Sequence, residues 1–278
     1  MTQTEVKSLS SLTVVFLPGI LSQSAIEGSG QIVNLSYFTG DYFRDYMELL
    51  EDHNVKFERI IVESEDPVSK NSKYIKSELD KIKGPLLIIS HSKGGLEFLD
   101  VLINNPQVSK RVVGWVSMQS PYHGSVLADY FIQGSIKKTV MGWIFAVLGG
   151  DVTGMESVGT KMRSDYMQAN ATKIEKALEN INLLQFITFI NEQQGRETSL
   201  EISRNYIYKR VGRNDGMVDL QSSLLKPYRH VVINDVDHLT TVLDQKNMDF
   251  LKDENESWNF DRKQHFRAII QLILESKF

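Results

Sequence analysis

Three residues of this sequence could together carry out acyl transfer: Ser92, Asp215 and His238. A serine hydroxyl is a poor nucleophile until a base takes its proton. The base needs an acid to fix its tautomer, and the oxyanion that develops needs two N–H donors. Ser92 lies in Leu86-Leu87-Ile88-Ile89-Ser90-His91-Ser92-Lys93-Gly94-Gly95, where branched apolar residues run into paired glycines. Asp215 heads the turn Asn214-Asp215-Gly216-Met217-Val218, and His238 follows in Asn234-Asp235-Val236-Asp237-His238-Leu239. The donors would be backbone amides, that of Lys93 directly after the serine and that of Ile20 after Pro18-Gly19. Other roles compete at these positions. Ser92 could be a helix N-cap, Asp219 or Asp237 could stand in for Asp215, and His238 could be a surface loop histidine. Lys93 at a helix start could bind phosphate, although the G-x-x-x-x-G-K-[ST] spacing is missing.

To stand at the apex of a sharp turn, Ser92 needs a strand before it and a helix after it. Leu86 to Ile89 suits a strand buried on both faces, and Leu96, Leu99 and Ile103 then fall on one helical stripe. Further strands are expected at Leu12–Leu17, Phe57–Val62, Arg111–Met118, Leu184–Ile190, Tyr206–Tyr208 and Val231–Ile233. Helices are expected over Tyr37–Asn54 and Val68–Lys83. An amphipathic one over Trp258–Phe278 would bury Phe266, Ile269, Ile270 and Ile273. Strands alternating with helices predict an α/β fold, a mostly parallel central sheet with helices on both faces, and a site at the carboxyl ends of the strands. Regularity fails over about 126–182, which reads as an inserted cap in a single domain spanning 1–278. The cap's apolar segment, Thr139 to Leu148, suits a buried cap helix, the more common use of such a run; a lid that opens at a lipid surface is the alternative.

Composition narrows the partners. With 31 basic and 35 acidic residues well mixed over 278 positions, and a net charge of -4, no broad field favours nucleic acid. There are no cysteines, so disulfides and thiolate metal sites are out. Met1 to Leu12 has no apolar core behind a basic start, so no cleaved signal peptide is expected, and the longest apolar stretch is too short to span a bilayer. The default is cytoplasmic, unless a separate export route exists. Nothing in the sequence specifies an oligomeric state.

Several short stretches in fixed order resemble the α/β-hydrolase superfamily, and more narrowly the bacterial lipase-like serine esterases. Ser90-His91-Ser92-Lys93-Gly94 resembles the G-x-S-x-G elbow, and Leu17-Pro18-Gly19-Ile20 the oxyanion loop. Gln119-Ser120-Pro121-Tyr122-His123-Gly124-Ser125 resembles the T-P-H-x-G-S stretch, Asn214 to Val218 the acid turn, and Asp237-His238-Leu239 the base loop. The resemblance covers Leu12 to about Ile273, apart from the cap. It implies hydrolysis of carboxylic esters, of small-molecule or lipid type, through an acyl-enzyme on Ser92, with no cofactor. His91, Tyr122, His123 and Trp143 are expected to line the substrate site, and the cap's Trp143, Ile144 and Phe145 to meet apolar acyl groups or, transiently, a membrane surface. Three departures stand out. Ser90 replaces a glycine, Pro18 replaces a histidine, and Thr240 stands where some such lipases have a calcium-binding Asp, so no metal of that kind is expected. Transfer of the acyl group to an alcohol or thiol remains an alternative, as does a non-catalytic binding protein on the same fold.

Overall fold

A computed structural model describes residues 1–20, 41–63, 66–133, 152–191, 200–244 and 260–275. In chain order the described elements are α1 (Gln3–Leu9), β1 (Thr13–Leu17), α2 (Arg44–Glu51), β2 (Phe57–Arg59), α3 (Val68–Lys81), β3 (Leu86–His91), α4 (Lys93–Asn104), α5 (Pro106–Ser109) and β4 (Val112–Met118). They continue with α6 (Val126–Ile132), α7 (Val152–Glu156), α8 (Thr160–Ala169), α9 (Ala171–Leu178), β5 (Leu183–Phe189), α10 (Glu201–Val211), β6 (His230–Asn234) and α11 (Arg262–Glu275).

The branched apolar runs form one six-stranded sheet in the order β2-β1-β3-β4-β5-β6. Every pairing is parallel. β3 is interior to the sheet and buried along its whole length, as a continuous apolar run requires when both faces are covered. Leu17 pairs with Ser90 and Ser90 with Ser117, so the strands end level and their following loops meet on one edge. Two backbone bonds draw the late loops to that edge as well. Ile190 N–H donates to the Asn214 carbonyl at 2.9 Å, and Asp235 N–H to the Phe189 carbonyl at 2.8 Å.

α4 is buried from Lys93 to Ile103, covered on both sides, which explains its predominance of apolar residues. Gly94 lets its first turn approach β1: a Cβ there would sit 2.3 Å from the Leu17 carbonyl oxygen and 2.7 Å from that of Pro18. Trp115 on β4 packs edge-on against Phe98 of α4, with ring centroids 5.1 Å apart. On the other side of the sheet Tyr46 of α2 stacks on Phe266 of α11 at 4.5 Å. Phe266, Ile269, Ile270 and Ile273 are the buried face of α11, as their spacing predicts.

One expected strand is a helix. Tyr206-Ile207-Tyr208 lies inside α10, where Ser203, Arg204 and Ile207 are buried at helical spacing and Tyr206 packs edge-on against Tyr130 at 5.0 Å. A short β-favouring triplet gives way to tertiary packing that needs a period of 3.6.

Between β4 and β5 the described residues form α6 to α9, while the apolar segment 139–148, with Trp143, Ile144 and Phe145, lies outside the described residues. α8 is tied to the body of the fold. Tyr166 donates to Asp100 Oδ1 of α4 at 2.7 Å, Ser72 of α3 donates to Asp100 Oδ2 at 2.5 Å, and the Arg163 guanidinium donates to the Tyr122 carbonyl at 3.2 Å. No helix among the described residues is long and apolar enough to cross a membrane.

Candidate active site

Ser92 sits between the end of β3 and the start of α4 with φ 53° and ψ -128°, a conformation few non-glycine residues adopt. It occupies the N-cap position but its side chain makes no capping hydrogen bond. A capping serine takes extended angles and accepts from the first turn, so the cap alternative fails on both counts. Holding a serine here costs of order 1–3 kcal/mol, a strain that persists only where the surroundings over-determine it. Those surroundings include Gly19 of the loop after β1, where a Cβ would lie 2.7 Å from the Ser92 Cβ.

Ser90, the residue in place of a glycine, fits without conflict. Its hydroxyl is buried, accepts from the Trp115 indole N–H at 2.8 Å and donates to the Val116 carbonyl at 3.4 Å.

Of the three competing carboxylates, Asp215 is the one bonded to the imidazole: His238 Nδ1 lies 2.8 Å from Asp215 Oδ2, both side chains being nearly fully buried. The acid is held from its other side. Asp215 Oδ1 accepts the backbone N–H of Met217 at 2.9 Å and of Val218 at 2.8 Å. The N–H of His238 in turn donates to the Asp215 carbonyl at 2.9 Å, so the two loops are joined by backbone as well as side chain. Asp237 caps its own turn, accepting from the Leu239 and Thr240 amides and the Thr240 hydroxyl. Asp219 accepts from the Ser222 amide at 2.9 Å, and burial pushes its carboxyl up.

Ser92 and His238 line one pocket, whose apolar walls include Ile20, Pro121, Leu127, Met155, Met217 and Val218. No direct hydrogen bond joins Ser92 Oγ to His238 in the structure; such bonds are commonly long before substrate binds. Lys93 brings only its backbone to this corner. Its ammonium is buried, bonds the Asp66 carbonyl and lies 3.6 Å from Glu97. That placement removes the phosphate-binding alternative.

The Lys93–Glu97 pair has a consequence for stability. Burial pushes the Glu97 carboxyl up to about 7 from an ordinary 4.5, against the pull of the Lys93 ammonium and the Asn71 amide. A carboxyl raised by folding contributes stability that is complete below its unfolded value and is lost as pH rises through its folded one. The wild type should therefore lose stability relative to Glu97→Gln between about pH 4.5 and 7. Urea midpoints of both proteins at pH 5 and 8 check this, and a difference between them that is constant with pH would exclude it.

The residues expected to line the substrate site divide differently. The Tyr122 ring is fully buried, edge-on to Trp115 at 6.4 Å, and its hydroxyl lies 2.5 Å from Ser117 Oγ, so it supports β4 from within. His123 is not among the residues lining the pocket of Ser92 and His238. Its backbone N–H donates to the Ser222 carbonyl and its Nε2 faces the Leu224 carbonyl at 3.2 Å, which places it on a separate cleft beside Thr160, Ile174 and Tyr228. His91 is fully buried behind the pocket, its ring 4.6 Å from that of His238, so it touches the His238 imidazole and does not line the pocket. Trp143 lies outside the described residues.

Two side chains that sequence reasoning did not single out complete the site. Gln119, directly after β4, has φ 52° and donates from Nε2 to Asp215 Oδ2 at 3.2 Å, to the Asp237 carbonyl at 3.1 Å and to Thr188 Oγ1 at 2.5 Å. Tyr42, just before α2, accepts the Gly19 N–H at 3.1 Å and lies 2.6 Å from His91 Nδ1. The only local signal for Gln119 is a long polar side chain at the end of a buried strand. Tyr42 gives none, since its hydroxyl is invisible in a helical apolar pattern.

The chain shares its fold with solved lipases and a carboxyl esterase. The chain superposes on the mature lipase of Bacillus licheniformis with a TM-score of 0.67 at 18% identity, over 94% of this chain and 92% of that one. A carboxyl esterase of metagenomic origin gives a TM-score of 0.73 at 15% identity, covering 96% of this chain and 76% of that one. The lipase of Staphylococcus hyicus gives 0.58 at 13% identity, covering 96% and 97%. No protein-family model and no curated protein matches the chain by sequence.

Proposed function

We propose that this chain is a serine hydrolase that cleaves carboxylic esters with apolar acyl groups through an acyl-enzyme on Ser92. The observation that carries the reading is the His238–Asp215 pair, 2.8 Å apart, with His238 lining the same pocket as a serine held at a strained strand-to-helix corner. Fold alone would not carry it, because one fold hosts many chemistries; the likeness to lipases and an esterase supports the same class.

The chemistry follows from the roles. His238 Nε2 takes the Ser92 proton as Oγ bonds the ester carbonyl carbon, while Asp215 keeps Nδ1 protonated and offsets the imidazolium charge. The backbone amides of Ile20 and Lys93 are the proposed donors to the oxyanion, each contribution of this kind being worth about 3 kcal/mol. Collapse of the tetrahedral adduct breaks the ester C–O bond, and His238 returns its proton to the leaving alkoxide. Water then attacks the acyl-enzyme by the same steps, releasing the acid and restoring the Ser92 hydroxyl.

The pocket walls make the substrate preference testable. Each methylene buried against them gains roughly 0.8 kcal/mol, so kcat/KM on p-nitrophenyl esters should climb from acetate to longer acyl chains until the pocket ends. Absence of turnover across the whole series would defeat the reading. Turnover confined to acetate would defeat the apolar acyl part alone.

A further inference from the structure

His91 takes no part in the steps above, yet its ring holds both sides of the site. Its protonation pattern can be worked out from its neighbours. The Asp237 carbonyl and the Asp215 carboxylate only accept, so the nitrogen of the Gln119 amide must face them and its oxygen must face the other way. That oxygen accepts the Thr241 hydroxyl at 2.8 Å and stands 3.0 Å from His91 Nε2, which must therefore carry a proton. The His238 carbonyl, also 3.0 Å from His91 Nε2 and also an acceptor only, requires the same. Nδ1 is then bare and accepts the Tyr42 O–H at 2.6 Å, which leaves the Tyr42 oxygen facing the Gly19 N–H. Each group has one consistent role. Burial, with the His238 imidazole beside it, holds His91 far below the usual histidine range, so the ring stays neutral.

We propose that His91 is a positioning residue: through its Nε2–H tautomer it couples the loop of Gly19 and Ile20, by way of Tyr42, to the Asp215–His238 pair, by way of Gln119 and the His238 carbonyl. This rests on the reading of the site as a serine hydrolase. The two halves are far apart in the chain, the first on the loop after β1 and the second made of Asp215, ahead of β6, and His238, on the loop after it. Oxyanion donors and base must be in register for one tetrahedral adduct, and a misplacement near 1 Å can cost about a hundredfold in rate. His91 spans that gap inside the protein, at 0% exposure, without touching the pocket.

Three substitutions separate positioning from bulk packing. His91→Leu keeps the volume and removes the bonds to all three partners, Gln119, the His238 carbonyl and Tyr42; His91→Gln keeps an amide N–H toward Gln119 and the His238 carbonyl, and Tyr42→Phe deletes one hydroxyl. For His91→Leu kcat should fall about a hundredfold with KM within about threefold of wild type, and His91→Gln should regain at least tenfold of that loss. Tyr42→Phe should lower kcat about tenfold, and it tests the same chain should His91→Leu fail to fold. A second readout does not need turnover: the far-downfield proton resonance of His238 Nδ1–H against Asp215 should disappear in folded His91→Leu and return in His91→Gln. Wild-type kcat in His91→Leu, losses seated in KM, or equal losses in the Leu and Gln variants would overturn the proposal. Should the wild type cleave no ester, the hydrolase reading fails by itself, and the resonance series still decides whether His91 positions His238.

Discussion

Ser92→Ala is expected to lower kcat on a p-nitrophenyl ester by roughly 10⁴-fold or more and to abolish labelling by a fluorophosphonate probe, while the protein stays folded. The size follows from the mechanism: without Oγ no acyl-enzyme can form, and what survives is the contribution of the oxyanion donors and binding to direct attack by water. Retention of the fold follows from the site. The Ser92 side chain makes no capping bond to α4, and alanine keeps the Cβ that packs against Gly19. Equal labelling of wild type and variant, at equal melting temperature, would show that another nucleophile carries the reaction.

Asp215→Asn should cost kcat about 10⁴-fold with little change in KM, because the structure dictates which way the new amide would face. The N–H groups of Met217 and Val218 both point at Oδ1, so an asparagine must keep its oxygen there. Its NH2 then replaces Oδ2 and is presented to His238 Nδ1. That forces Nδ1 to accept and Nε2 to carry the proton, leaving no base for the Ser92 hydroxyl. The same NH2 also confronts the donor nitrogen of Gln119. Asp219→Asn and Asp237→Asn should each stay within about tenfold of wild type, since asparagine can still accept the backbone amides those residues cap. If Asp237→Asn were the crippled variant and Asp215→Asn active, the acid would have been misassigned.

What could be read from the amino acids alone was whatever is local or periodic. The corner at Ser92 is written within one stretch, as a buried strand, small residues and an apolar helical stripe, and it folds as read. The buried face of α11 follows from spacing for the same reason. The triplet Tyr206-Ile207-Tyr208 misleads because three residues cannot show a period, and its helix is imposed by what it packs on. Among three nearby carboxylates, a place in a turn after an expected strand favours Asp215, but only the fold brings one of them to 2.8 Å from the imidazole. The family resemblance implies that Tyr122 and His123, which follow a strand end, line the substrate site. Adjacency does not fix direction, and the turn after Gln119 sends one ring into the core and the other to a different cleft. The links through Tyr42 and Gln119 are long-range hydrogen bonds between side chains, 49 and 96 positions apart for Tyr42–His91 and Gln119–Asp215, and no short motif encodes them.

The strand order also has a meaning in time. β3 and its serine are made early and lie inside the sheet, whereas the imidazole arrives on the loop after β6, the last strand in the chain order of the sheet. A chain emerging from the ribosome N-terminus first would thus present Ser92, the proposed nucleophile, long before His238, its proposed base. On the proposed function, the serine of the growing polypeptide stays dormant until β6 docks beside β5, and the cell meets the site only as a finished one.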